Sequence, residues 1–130
     1  MSTSCSISGI FLNNNASNDG GAVYIRDVSN YKLSGNFTNN TAKNGGAVYS
    51  HTTIAIRYFL IDGIFNSNNA DCGGAVYAYS SSGNFKGTYQ NNRASKDGGA
   101  IYLTESYMLN NITGKFYDNV AKGYGSAVCA

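Results

Sequence analysis

Seven carboxylates, one histidine, three cysteines and eleven tyrosines are the side chains of this chain best suited to chemistry. Acid–base work on a sugar needs two positioned carboxylates, or a base helped by a metal. The acids are Asp19, Asp27, Asp62, Asp71, Asp97, Glu105 and Asp118. Asp19, Asp71 and Asp97 fall just before glycine pairs, with Asn44 in the intervening copy, and are expected near one corner of the fold. Oxygen ligands suit Ca²⁺, so acids on that corner would fit a calcium site, but turn acids before glycine give the same pattern. Acids spread one per turn of the chain do not make a catalytic pair. His51 stands beside Thr52 and Thr53 with no acid near it in sequence, which makes it a poor base. Cys5, Cys72 and Cys129 match neither a metal spacing nor a small disulfide scaffold, and an odd number leaves at least one thiol free. No catalytic residue, metal ligand or cofactor is assigned, and no enzyme is expected.

Composition narrows the class further. The 130 residues fit one domain. Charged residues make up 12%, where about 25% is usual. There are 16 glycines, 18 asparagines and no proline or tryptophan. Low charge with 42% hydrophobic residues argues against disorder. The net charge is +2 and the nine Lys and Arg are scattered singly, so no electrostatic footprint for nucleic acid is present. No apolar run reaches the roughly 18 residues of a membrane span, so no membrane insertion by this segment is expected. The opening Met1-Ser2-Thr3-Ser4-Cys5 lacks the basic start and apolar stretch of a signal peptide. The chain begins and stops inside a repeat, which suggests that 1–130 is one segment of a longer array.

That repeat organises everything else. Aligned on an aromatic residue (Phe11, Phe37, Phe65, Tyr89 and Phe116), five tandem copies emerge. Two residues earlier stand Gly9, Gly35, Gly63, Gly87 and Gly114; four earlier stand Ile7, Leu33, Ile61, Phe85 and Ile112. Three later come Asn14, Asn40, Asn68, Asn92 and Asn119; five later come Ala16, Ala42, Ala70, Ala94 and Ala121. A second block follows: Gly20-Gly21-Ala22-Val23-Tyr24, Gly45-Gly46-Ala47-Val48-Tyr49, Gly73-Gly74-Ala75-Val76-Tyr77, Gly98-Gly99-Ala100-Ile101-Tyr102 and, degraded, Gly125-Ser126-Ala127-Val128-Cys129.

Within a copy the period is 2, the spacing of one strand face. Val23 with Ile25, Val48 with Ser50, Val76 with Ala78 and Ile101 with Leu103 are assigned inward. Ala22 and Tyr24 then point outward, which stacks Tyr24, Tyr49, Tyr77 and Tyr102 in an external column; the opposite assignment stays open. The Asn- and Asp-rich stretches between blocks suit left-handed turns. The variable stretches Ser50–Arg57 and Tyr79–Gly83 read as outward loops.

A copy of 24–28 residues cannot bury its apolar face alone, but stacked copies bury a continuous column. The expected fold is therefore all-β, a right-handed parallel β-helix of about five coils. In such a stack Asn14, Asn40, Asn68, Asn92 and Asn119 meet along the axis, each amide donating to the next, a ladder that satisfies buried amides. The glycine before the aromatic leaves space under it or allows a bend. Open ladder edges at the first and last coils predict self-association.

The blocks Phe-x-x-Asn and Gly-Gly-Ala-Val/Ile resemble the paired motifs of the polymorphic membrane protein (Pmp) repeat, known from chlamydial autotransporter adhesins. The stretch Gly35–Ala42 followed by Gly45–Tyr49 is also similar to large adhesin-like surface proteins of methanogenic archaea. The resemblance covers essentially the whole chain, with Tyr89 for Phe and Ser126 for Gly as departures. It implies a parallel β-helix, an extracellular or cell-surface location and a role in adhesion or display, and it carries over no catalytic residue.

The expected function is thus a structural or adhesive repeat segment of a secreted or cell-surface protein, with a host-cell or extracellular receptor or glycan as partner. The alternative is a carbohydrate-binding or carbohydrate-active β-helix using Tyr24, Tyr49, Tyr77 and Tyr102, since a tyrosine face is apolar and its hydroxyl polar. Shielding of the neighbouring Gly and Ala accounts for the same column. The sequons at Asn15, Asn36, Asn39 and Asn111 could carry glycans in a secreted chain.

Overall fold

A computed structural model describes residues 4–52, 58–79, 83–105 and 110–130. The parts 53–57 and 80–82 of the two expected outward loops lie outside the described residues. Among those described, all regular structure is β and every strand pairing is parallel. In the first two copies the strands are β1 (Ser4–Leu12), β2 (Val23–Arg26), β3 (Asn30–Thr38) and β4 (Val48–His51). The third adds β5 (Tyr58–Asn66), β6 (Asn69–Ala70) and β7 (Val76–Tyr79). The fourth has β8 (Asn84–Phe85), β9 (Thr88–Gln90), β10 (Arg93–Ala94) and β11 (Ile101–Thr104). The fifth has β12 (Asn111–Ile112), β13 (Lys115–Tyr117), β14 (Val120–Ala121) and β15 (Val128–Cys129).

These strands form three faces. The long sheet runs β1-β3-β5 and continues onto β8 with β9, then β12 with β13. The glycine-block sheet runs β2-β4-β7-β11-β15, and a short-strand sheet runs β6-β10-β14. Bridges Asn15 to Thr41 and Thr41 to Asn69 extend the short-strand face to the first copy. The register is like on like: Phe37 pairs with Phe11 and Phe65, Tyr49 with Tyr24 and Tyr77. Five rungs are thus stacked in about four steps, as a parallel β-solenoid.

Sequence dictates the corners. The residue before each ladder asparagine is left-handed: Asn13, Asn39, Ser67, Asn91 and Asp118 have φ between 51° and 60°. Four of the five are Asn or Asp, whose short polar side chains tolerate that region best. At the glycine block, Gly45 has φ 63° and Gly46 lies so close to the next rung that a Cβ would overlap the Gly74 carbonyl oxygen. The glycine before the aromatic serves a similar close approach. A Cβ on Gly35 would overlap the Gly9 carbonyl oxygen, so the crowding comes from the neighbouring glycine backbone rather than from the aromatic ring.

The core is a set of columns. Phe11, Phe37, Phe65, Tyr89 and Phe116 stack nearly parallel, with successive centroids 4.7, 4.7, 4.7 and 4.9 Å apart. That spacing matches the roughly 4.8 Å between strands, so the rung step sets the ring step. Leu33, Ile61 and Phe85 fill a second column, and Val48, Val76 and Ile101 a third, all fully buried. Valine and isoleucine of the glycine block therefore face inward. Their preceding alanines do too, which corrects the outward assignment of that position: Ala47, Ala75 and Ala100 are fully buried. Alternation fails there because the chain is turning a corner, and the amides of Ala47 and Val48 both donate to the Ala75 carbonyl at 2.9 Å. Ser50, a polar residue on the inner face, meets the Tyr31 hydroxyl at 2.8 Å, and Tyr31 stacks on Phe59.

Candidate functional site

Two outward surfaces and one buried column hold the residues singled out by sequence. The buried column is the asparagine set. Asn40 donates from both its backbone N and Nδ2 to Asn68 Oδ1, each at 3.0 Å, and its second Nδ2 hydrogen returns to the Phe11 carbonyl at 3.0 Å. Asn40 Oδ1 in turn accepts from Asn14 N at 2.9 Å and Asn14 Nδ2 at 3.0 Å. Asn68 repeats the pattern with Asn92 and the Phe37 carbonyl, and Asn92 with Asn119 and the Phe65 carbonyl. Asn40, Asn68 and Asn92 are fully buried. The left-handed residue tips the next peptide out of the backbone ladder, and the neighbouring side-chain oxygen takes its N–H. An amide is the side chain that can supply two donors and a two-fold acceptor here. A carboxylate would lack the donors and face its own charge in the next rung.

The outer face of the glycine-block sheet carries the tyrosines. Tyr24, Tyr49 and Tyr77 stack at 5.3 and 5.0 Å with interplanar angles of 8° and 18°, and Tyr102 follows at 5.0 Å, tilted by 30°. His51 lies in the adjacent column, 4.5 Å from the Tyr79 ring and nearly parallel to it. Its Nδ1 is buried without a hydrogen-bond partner. Burial, together with the neighbouring phenols of Tyr49 and Tyr102, pushes the Tyr77 hydroxyl up to about 12. Tyr49 and Tyr102 are raised as well, chiefly by burial. In this stack the ring faces between rungs are occupied by other tyrosines. What the column offers a ligand is a row of ring edges and hydroxyls.

The acids do not converge. Asp19, Asn44, Cys72, Asp97 and Tyr124 stand at equivalent places, joined by bridges and backbone hydrogen bonds. Asn44 Nδ2 donates to Asp19 Oδ1 at 3.0 Å, and Tyr124 N donates to Asp97 Oδ1 at 2.7 Å. Asp71, expected at the same corner, sits one column over. It lies between Lys43 and Lys96, bonded through the backbone at 2.8 Å on each side, and accepts from Ser95 Oγ at 2.9 Å. The shift arises because the third copy places Cys72, not Asp71, directly before its glycine pair. Among the described residues no three His, Cys, Asp or Glu side chains gather as a metal site, and the three cysteines are unpaired.

The third surface was not singled out by sequence. Outside the corner of the short-strand face lies an open polar groove of about 470 Å³, bordered by Asn39, Ser67 and Asn91 on one side and Thr41, Asn69 and Arg93 on the other. A second hollow of about 440 Å³ shares Asn69 and Arg93 and extends the track to Ser95 and Lys122. The only earlier signal for it was the repeated turn position; Arg93 and Lys122 each occur once and match no motif.

Solenoid geometry and invariant inter-rung columns together define a β-helical repeat protein. Three segments match the family model of the Chlamydia polymorphic membrane protein (Chlamydia_PMP) repeat: residues 8–26, 34–51 and 90–104. Over those segments the chain is similar to that repeat family, in keeping with the motif resemblance. No curated protein and no solved structure matches the chain. The family and the fold fit a repeat segment of a surface protein.

Proposed function

We propose that the chain is a structural and adhesive repeat segment of a cell-surface, adhesin-like protein, without catalytic activity of its own. The observation that supports this most is how the residues common to all copies are used. Each aromatic, asparagine, glycine and Val/Ile of the motif is engaged with its counterpart one rung away, so the motif makes a scaffold. Partner recognition then belongs to outward residues that differ between copies, and the partner is a host-cell or extracellular receptor or glycan. The ladder edges of β1 at one end and β15 at the other offer a second contact, with another copy of the chain.

Beads coated with the chain should adhere to a cell monolayer above uncoated beads, and the chain should release no reducing ends from polysaccharides. Sugar release would replace the adhesive reading with an enzymatic one, and beads that fail to adhere would end it. Elution as a single monomeric species at all concentrations would remove the self-association. A second reading, carbohydrate binding at the tyrosine column, is favoured by the row of phenol edges from Tyr24 to Tyr102. Loss of glycan-array binding in Tyr77→Ala would support it.

A further inference from the structure

We propose that the groove outside the short-strand corner binds an extended acidic polysaccharide laid along the solenoid axis, with Arg93 and Lys122 taking its acid groups. The inference rests on the adhesive reading above and names the ligand class for it.

The groove has two rails. One is the left-handed turn column Asn39–Ser67–Asn91; the other is the strand column Thr41–Asn69–Arg93, whose members are paired rung to rung. Asn68 of the buried ladder forms part of the lining between them. From the second to the fourth rung each rail offers a new polar side chain at every step, about 4.8 Å apart, and a pyranose in an extended chain advances by a similar length. A polymer of that repeat can place equivalent hydroxyls against Asn39, Ser67 and Asn91 in turn. An irregular peptide has no such match.

The chemistry of the lining selects an acid. Neutral sugars are commonly held by stacking on exposed aromatic faces, and neither hollow is lined by an aromatic side chain. Recognition here must use amides, hydroxyls and cations. Arg93 and Lys122 are both exposed, and neither has a carboxylate within salt-bridge distance among the described residues. Arg93 presents a planar fork suited to carboxylate or sulfate. Asp71 on this face is already bonded to Ser95 and lies between Lys43 and Lys96. The amide row stops at the fifth rung, where Asp118 takes the turn position, and the acid groups are met in the second hollow, where Arg93 and Lys122 are both lining residues.

Immobilised polygalacturonate, a sulfated glycosaminoglycan and neutral mannan, with the full chain as analyte across a salt series, test the proposal. Binding to either or both acidic polymers but not to mannan, weakening as salt rises, is expected. The choice between the acidic arms shows whether carboxylate or sulfate is preferred. Arg93→Gln/Lys122→Gln should weaken binding about tenfold. Lys32→Gln/Lys115→Gln, which removes the same charge from exposed positions on the long sheet, should leave it unchanged. All four positions are exposed, and a thermal melt checks that both variants fold. Equal loss in the two variants, equal retention on mannan, or no binding at low salt would overturn the groove. Adhesion of coated beads that survives such a failure leaves the adhesive reading standing, whereas glycan binding without adhesion removes that reading alone.

Discussion

The asparagine column inside the solenoid and the tyrosine column outside it are built by the same rule, one residue per rung, yet they behave differently. In the inner column Asn40 and Asn68 have every donor and acceptor engaged. In the outer column the rings cover one another's faces but leave edges and hydroxyls to solvent, with Tyr24 half exposed. A closed column stabilises and offers nothing to a ligand. An open one contributes less to stability and keeps groups free for contact. Closure of a column, rather than repetition alone, therefore marks the scaffold, and columns left open or varied between copies mark the surface to search for function.

Mutations and pH test that contrast. The largest effect is expected for Asn68→Ala, which strands the buried N–H groups of Asn40 and the Phe37 carbonyl at once. Unpaired buried groups cost about 1–3 kcal/mol each, so urea unfolding should show a loss of about 3–5 kcal/mol. A loss below that of an exposed substitution would mean the column is not closed. Next comes alkaline pH. A phenol raised in the folded state stabilises the fold below its unfolded value of about 10, and that contribution disappears as pH climbs through the folded value. Tyr77, near 12, and the buried Tyr31 and Tyr89, pushed up further by burial, should hold the fold steady to about pH 10 and weaken it above. Phenolate absorbance followed with circular dichroism should show the buried tyrosines ionising only as the strands melt. Ionisation of every tyrosine in a single step near pH 10 with the fold intact would contradict the stacking.

A smaller effect, of opposite sign, belongs to Tyr89. Its hydroxyl is buried without a hydrogen-bond partner where the other copies have phenylalanine. Tyr89→Phe should therefore stabilise the chain by about 1–2 kcal/mol in thermal or urea unfolding, and destabilisation would show an unseen partner for that hydroxyl. The smallest change is Tyr77→Ala on the outside, about 1 kcal/mol from lost stacking, which keeps the outer column well below the inner one. A cost equal to that of Asn68→Ala would erase the distinction between them.

Much of this architecture was legible because stacking makes each copy a record of its neighbours. Five asparagines at one offset from five aromatics have a simple physical reading, a column, and the register places them so. The inward Val and Ile followed from period 2. That same counting misplaced Ala47, Ala75 and Ala100, because two consecutive amides share one carbonyl where the chain turns, and alternation does not survive a corner. Asp71 was misplaced by one residue because it stands two before its glycine pair, where Lys43 and Lys96 stand in their copies, and Cys72 takes the corner position. The groove was illegible for a different reason. Arg93 stands at the same offset as Thr41 and Asn69, one residue after the ladder asparagine, but three unlike residues make no motif, and only the folded chain shows a groove beside them.

Like residues lie directly above one another along the solenoid, and the side-chain amides are the best reporters of that stacking. Nuclear Overhauser contacts in the labelled chain should link the Asn40 side-chain amide to Asn68 and the Asn68 amide to Asn92, with both amides exchanging slowly. Fast-exchanging amides with no contact between those rungs would contradict it.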